Sequence, residues 1–393
     1  MTITTPPPVP MVEDSTAQDV RATLRSLLDA RCTPAFRLEF VNRGADFDEA
    51  LWTAISQDLG LAGLLVPEDL GGAGASVRES AAVLLELGRS LAPVPYLSSA
   101  VIATTALVRC ARSGSSAAAE QAAHLADGAI AALAVPATRS FGAIAQPTVQ
   151  ATGSPDGPVE LSGNVSQVIG IAGAGAFIVP AWLGDARVLT VVGSDISSVA
   201  TTRRTGIDST RPASDLVFSG VRATVVATGE TADDAVTSAL ETGAALLASE
   251  QVGIGEWALS QVTEYLTVRH QFGRPIGSYQ SLRHRAAQMW ININHARAAA
   301  IYAASTAADS TADHAVAAAL AESYCSGIAL QLVEDALQMH GGIGFTWDHP
   351  LHLYLKRAFA DTVLLGDAQT HKRTLARLID LAEPGTATAT AAS

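Results

Sequence analysis

Carboxylates set among small residues are the side chains of this sequence best suited to move a proton. Asp367, in "LLGDAQTHKR" (364–373), follows an apolar run and precedes basic residues. It suits two tasks. It can take a proton as a general base, or it can cap the helix spelled by "AQTHKRTLARLID", whose first N–H groups need acceptors. Glu241 and Glu250, in "ALETGAALLASEQVG", are further acids in an Ala/Gly-rich helix. Arg269, in "VRHQFGRPIG", offers a forked and permanently charged donor set to phosphate oxygens, or else caps a helix end. In "LQMHGGIGFT", Gly341 and Gly342 let backbone approach a ligand closely, or simply stop a helix. The nine histidines are scattered, and "HRAAQMWININH" lacks an acidic ligand at metal spacing, so no metal is expected. Cys32, Cys110 and Cys325 form no CxxC pattern or disulfide framework and read as core fillers.

Three kinds of segment must position these residues. A Pro-rich leader (1–16) precedes a helical region (17–127). There, "FDEALWTAISQDLGLAGLLVP" places Leu51, Trp52, Ile55, Leu59 and Leu61 at helical spacing, and "SVRESAAVLLELGRSLAPVPY" is stopped by Pro93 and Pro95. Residues 128–230 change texture to short β-branched runs punctuated by Gly, Pro, Asp and Ser, the pattern of an all-β barrel or sandwich. Long amphipathic helices over 231–383 predict a bundle, and 384–393 is a small, polar tail expected to be disordered.

The balance of 25 basic against 38 acidic residues, a net charge of −13, argues against nucleic acid or an anionic membrane as partner. An anionic ligand would need local Arg groups or helix N-termini. The N-terminus lacks the basic and apolar regions of a secretory signal, and no uninterrupted apolar run reaches ~20 residues, so a soluble, cytoplasmic protein is expected.

The strings "GLAGLLVPEDLGGAGAS", "VRHQFGRPIGSYQSLRHRAAQM" and "ALQMHGGIGFTWDHPLHLYLKRA", in this order, resemble the acyl-CoA dehydrogenase family over roughly Phe47 to Leu381. The resemblance implies an α+β multi-domain fold: an N-terminal helical domain, a middle β-barrel or sandwich domain, and a C-terminal four-helix bundle. It also implies FAD between the β domain and the bundle, with its adenosine half reaching a neighbouring subunit. In that chemistry a carboxylate removes the α-proton of an acyl-CoA while the β-hydrogen leaves as hydride to the flavin. A backbone N–H and a ribityl hydroxyl hold the thioester carbonyl. By the family's pattern Arg269 meets the FAD pyrophosphate, and Gln271, Phe272 and Gln280 are further cofactor contacts. Gln338, Gly341 and Gly342 lie along the facing subunit's FAD. Electrons would pass to an electron-transfer flavoprotein or another acceptor.

The sequence departs from the family in two places. Ile169 and Ile171 fall where a flavin-facing Trp and Thr are usual, and "AVPATRSFGAIAQPTV" replaces the stretch that lines the acyl-CoA and flavin site. At the two usual positions of the catalytic Glu stand Gly366 and Gly243. Asp367, Glu250 and Glu241 are the carboxylates near enough to substitute; Glu241 also lies near a CoA-contacting position. The backbone N–H of Gly366 survives any side-chain change and retains half of the thioester clamp. Two readings follow. The chain dehydrogenates an acyl-CoA, one as bulky as a steroid side chain or a dicarboxylate, within a homo- or heterotetramer that includes another acyl-CoA dehydrogenase subunit. Alternatively, it is a non-catalytic partner that completes the FAD site of such a chain.

Overall fold

The computed structural model describes residues 11–12, 15–142 and 146–381, so most of the expected leader and all of the expected tail lie outside the described residues. Helices α1 (Ser15–Arg31), α2 (Pro34–Arg43), α3 (Glu49–Thr53), α4 (Val77–Ser90), α5 (Thr104–Arg112) and α6 (Ser116–Ala126) build the N-terminal part. Local chemistry sets their ends. Asp48 accepts from the Leu51 N–H at 2.9 Å to start α3, which widens into a π-helical turn over Ala54–Asp58 rather than continuing as one regular helix. Ser76 and Glu79 form a capping box on α4, the Ser76 N–H donating to Glu79 at 2.7 Å. A second π-helical stretch, Tyr96–Ala103, is buried along its whole length.

Seven strands follow: β1 (Ala131–Leu133), β2 (Val149–Gly153), β3 (Pro158–Ile169), β4 (Ala176–Leu183), β5 (Ala186–Val192), β6 (Ala200–Arg203) and β7 (Ala213–Thr228). The order β4-β2-β3-β7-β5 returns to β4 through the antiparallel β4–β5 pair, so the sheet closes into a barrel. Alternating residues such as Val159, Leu161, Val179, Leu216 and Phe218 fill its interior.

The C-terminal bundle consists of α7 (Gly229–Val268), α8 (Gln280–Ala308) and α9 (His314–His340), with the shorter α10 (Leu351–Asp361) and α11 (Ala368–Leu378). A hairpin of β8 (His270–Gln271) and β9 (Arg274–Pro275) joins α7 to α8. Small residues let α4 and α7 touch backbone to backbone. A Cβ on Gly253 would lie 1.9 Å from the Leu85 carbonyl oxygen, and one on Gly88 would lie 2.1 Å from that of Glu250. This contact locks the N-terminal helices to the bundle and sets the Tyr96–Ala103 segment beside the middle of α7. Among the described residues one helical stretch, His314–Phe345, is long and apolar enough to cross a membrane by length and composition. More than half of its most apolar part, 56 %, is buried inside the protein.

Candidate active site

Gly243 and Gly366 come from distant elements but meet at one place. A Cβ on Gly243 would stand 2.8 Å from Ile102 Cγ1 and 3.2 Å from Leu365 Cδ1, so α7, the buried π-helical segment and the turn before α11 converge there. Neither position has room for a carboxylate. At Gly366 the φ angle is 108°, which disfavours any side chain, and a Cβ would lie 2.7 Å from Ser140 Cβ and 3.1 Å from His371 Nε2. A side chain would thus be crowded at its first carbon, by Ile102 and Leu365 at Gly243 and by Ser140 and His371 at Gly366. The Gly366 N–H, expected to hold half of a thioester clamp, donates instead to the Val363 carbonyl at 3.3 Å. Leu365 itself adopts φ 57° to make this turn, and the His371 ring braces it, with Nε2 3.1 Å from the Leu365 carbonyl. Burial holds His371 below the usual imidazole range and thus neutral, and its Nδ1 has no partner.

The candidate bases are occupied elsewhere. Asp367 is the N-cap of α11: its Oδ1 accepts from the Thr370 N–H at 2.7 Å, in extended conformation with ψ 163°. Hydrogen bonding to Thr370 keeps its carboxyl below the usual range, the opposite of the shift a general base needs. Glu250 is 1 % exposed and sits in a buried ion network. Arg211 Nη2 reaches its two carboxylate oxygens at 2.6 and 2.5 Å, and Arg357 Nη1 donates to Oε1 at 2.7 Å. Arg357 also bonds Asp208 and, at 2.5 Å, the Thr210 hydroxyl; Arg211 bonds Asp361 at 3.0 Å. A carboxylate gripped by two guanidiniums is poorly placed to accept a carbon-bound proton. Glu241 faces His314, 3.7 Å away on α9, and burial raises its pKa to about 7.

Two more acids join the network. Asp361 is pushed up to about 7 by burial and by its carboxylate neighbour Glu250, against the pull of Arg211. Burial drives Glu322 well above the usual range, so it is neutral and accepts from Gln251 Nε2 at 2.8 Å. The sequence reading missed this network, although it singles out one member, Glu250, as a candidate base. The pairs that Arg211 and Arg357 make with Glu250, Asp208, Thr210 and Asp361 span 39 to 150 positions, a separation that no local pattern encodes.

The residues matched to the FAD diphosphate present a different picture, for they are exposed. Arg269 closes α7 and its guanidinium has no carboxylate within ion-pairing distance among the described residues. Phe272 stands 91 % exposed at the tip of the β8–β9 hairpin, at φ 51°, flanked by Gln271. Gln280 opens α8 and its amide lies 3.4 Å from His284 Nε2. Gln338 is exposed on the last turn of α9, and nothing lies within 4 Å of a Cβ built on Gly341 or Gly342. At Gly341 the backbone angles, φ 61° and ψ −141°, require glycine. These residues fit a diphosphate and an adenine arriving from outside the chain. The ring side does not fit a flavin in the same way. Ile169 and Ile171 offer no hydroxyl or indole, Gly170 packs against Ser98, and the cavity beside Gly170 and Ile171 holds only about 40 Å³.

Residues 14–123 match the acyl-CoA dehydrogenase N-terminal domain, and residues 234–379 match the acyl-CoA dehydrogenase C-terminal domain. The chain is 30 % identical over 348 residues to acyl-CoA dehydrogenase IpdE2 of Mycobacterium tuberculosis, covering 88 % of this chain and 92 % of the relative. It superposes on the ChsE4-ChsE5 complex from Mycobacterium tuberculosis with a TM-score of 0.83 and 29 % identity, over 95 % of this chain and 100 % of that one. A variant of the Tcur3481-Tcur3483 steroid ACAD gives 0.80 and 28 %, over 93 % and 97 % of the two chains. The fold, the order of the domains and these similarities together show that the chain belongs to the acyl-CoA dehydrogenases, oxidoreductases acting on acyl-CoA.

Proposed function

We propose that this chain is one subunit of a two-chain, FAD-dependent acyl-CoA dehydrogenase, completing the flavin site of its partner while the partner supplies the base. The observation that carries this reading is glycine at both Gly243 and Gly366, where even a Cβ would be crowded, by Ile102 and Leu365 at the first and by Ser140 and His371 at the second. When bound, FAD supplies the redox chemistry by taking the β-hydrogen as hydride. This chain's residues bind and orient. Arg269 would neutralise the diphosphate, Gln271, Phe272 and Gln280 would add further contacts to the cofactor, and Gln338 with the Gly341–Gly342 backbone would lie along it. The exposure of all these groups, beside a small cavity at Gly170 and Ile171, supports their serving a neighbouring chain.

Solved neighbours that are two-chain complexes support the heteromeric form, and a neighbour described as a steroid ACAD supports a bulky acyl-CoA as substrate. Electrons then leave through an electron-transfer flavoprotein or a comparable acceptor, in the cytoplasm. The test is co-purification with the acyl-CoA dehydrogenase chain encoded beside it. The complex is expected to be yellow and to be bleached anaerobically by acyl-CoA, whereas Arg269→Gln in this chain lowers the flavin content of the complex. A chain that turns over acyl-CoA by itself would overturn the reading.

A further inference from the structure

We propose that His340, His349 and His352 form a proton-operated latch, which holds the turn 341–350 closed between α9 and α10 near neutral pH and releases it on mild acidification. His340 ends α9, His349 stands just before α10, and His352 lies in the first turn of α10. The ring centroids of His340 and His349 are 5.0 Å apart.

Each ring is placed for its neutral form. His349 Nδ1 accepts the Leu351 N–H at 3.2 Å, and a protonated imidazole has no lone pair with which to do so. The buried His340 donates from Nδ1 to the Ala336 carbonyl at 2.7 Å and stacks on Tyr265 of α7 at 4.5 Å. His352 Nε2 donates to the Trp347 carbonyl at 3.3 Å, and its Nδ1 is buried without a partner, so a proton there would be unpaired. The other ionisable groups around the three are Tyr265 on α7, Lys356 on α10 and Asp348 within the turn. Among the described residues, the one histidine with a carboxylate at ion-pairing distance is His314, on the far end of α9. Burial holds all three rings below the usual imidazole range; His340 and His352 push His349 further down, and Lys356 does the same to His352.

Little else holds the turn. Its apolar side chains Ile343, Phe345 and Trp347 are exposed, and the backbone bonds from the Thr346 and His349 N–H groups stay within it. An open turn returns the imidazoles to water, where they take protons near pH ~6.5. The closed state is therefore at full strength above about pH 6.5 and weakens as the pH falls below it, by up to about tenfold per pH unit for each ring that must charge. The turn also carries Gly341 and Gly342, so its release would loosen the hold on a partner's cofactor; that consequence alone rests on the proposed partner role.

The test is hydrogen–deuterium exchange of the purified full chain at about pH 7.5 and about pH 5.5, corrected for the intrinsic effect of pH on the rates. Protection over 341–353 is expected to fall about tenfold or more at the lower pH, while β4 keeps its protection. The His349→Asn/His352→Gln double variant should hold that fall below about threefold. His349→Asn alone keeps an acceptor for the Leu351 N–H, as in an Asx-turn, so it should melt like the parent near neutral pH and show a smaller fall. His124→Gln, on α6, should keep the parent's fall. A parent fall below about tenfold, a fall shared by β4, a double variant that falls about threefold or more, or a His349→Asn fall equal to the parent's would each overturn the proposal. The isolated chain suffices for this test, so failure here leaves the partner reading standing.

Discussion

At the scale of single residues, the difference between a catalytic and a capping carboxylate is one of geometry. Asp367 is bound to the first turn of α11 through the Thr370 N–H. Asp367→Ala should therefore cost about 1 kcal/mol of stability, the usual value of an N-cap, and leave the turnover of the two-chain enzyme unchanged, as urea melts and steady-state rates will show. Gly366→Glu puts a carboxylate at one of the two positions where the family resemblance expects the base, but does not bring the chemistry. The left-handed φ and the contact with Ser140 should make this variant less stable by ~1–3 kcal/mol, and it should confer no acyl-CoA-dependent bleaching on the isolated chain. Glycine at both positions was legible in the sequence. That Ile102, Leu365, Ser140 and His371 crowd them was not, because these contacts are made by tertiary packing alone.

At the scale of elements, the buried network ties the segment before β7, through Asp208, Thr210 and Arg211, to α7 and α10. Removing one partner of such a network leaves an uncompensated buried charge. Arg357→Met should lower stability by about 3–5 kcal/mol, measured by denaturant unfolding, whereas loss of an exposed pair such as Arg112–Asp69 should be nearly silent. The network also sets a pH dependence. Asp361 keeps its proton in the folded chain up to about pH 7, whereas an unfolded Asp releases it near ~3.9. The stability that this group adds is therefore present below about pH 4 and is lost as the pH rises to 7. Asp361→Asn should flatten the fall in Tm between pH 5 and 7. Helix and strand texture, the long α7 and the order of the domains were readable from periodicity. The π-helical segments were not, because an extra residue per turn leaves the apolar pattern of a buried helix almost unchanged.

At the scale of the whole molecule, the chain pairs an exposed set of polar and glycine residues on the bundle, the groups proposed to meet a diphosphate, with a small cavity beside Gly170 and Ile171 on the barrel. The turns around Phe272 and Gly341 were legible in the sequence as breaks between long helices, since backbone conformation is written locally there. The cavity was the least legible, since four segments line it. This division is what the proposed partner role calls for. The most direct measurement is the anaerobic flavin spectrum, with flavin content per chain, of the purified protein alone and bound to its partner acyl-CoA dehydrogenase chain. The account predicts a colourless isolated chain, and a complex with one FAD per pair that acyl-CoA bleaches. A yellow isolated chain with one FAD per subunit, bleached by acyl-CoA, would contradict it.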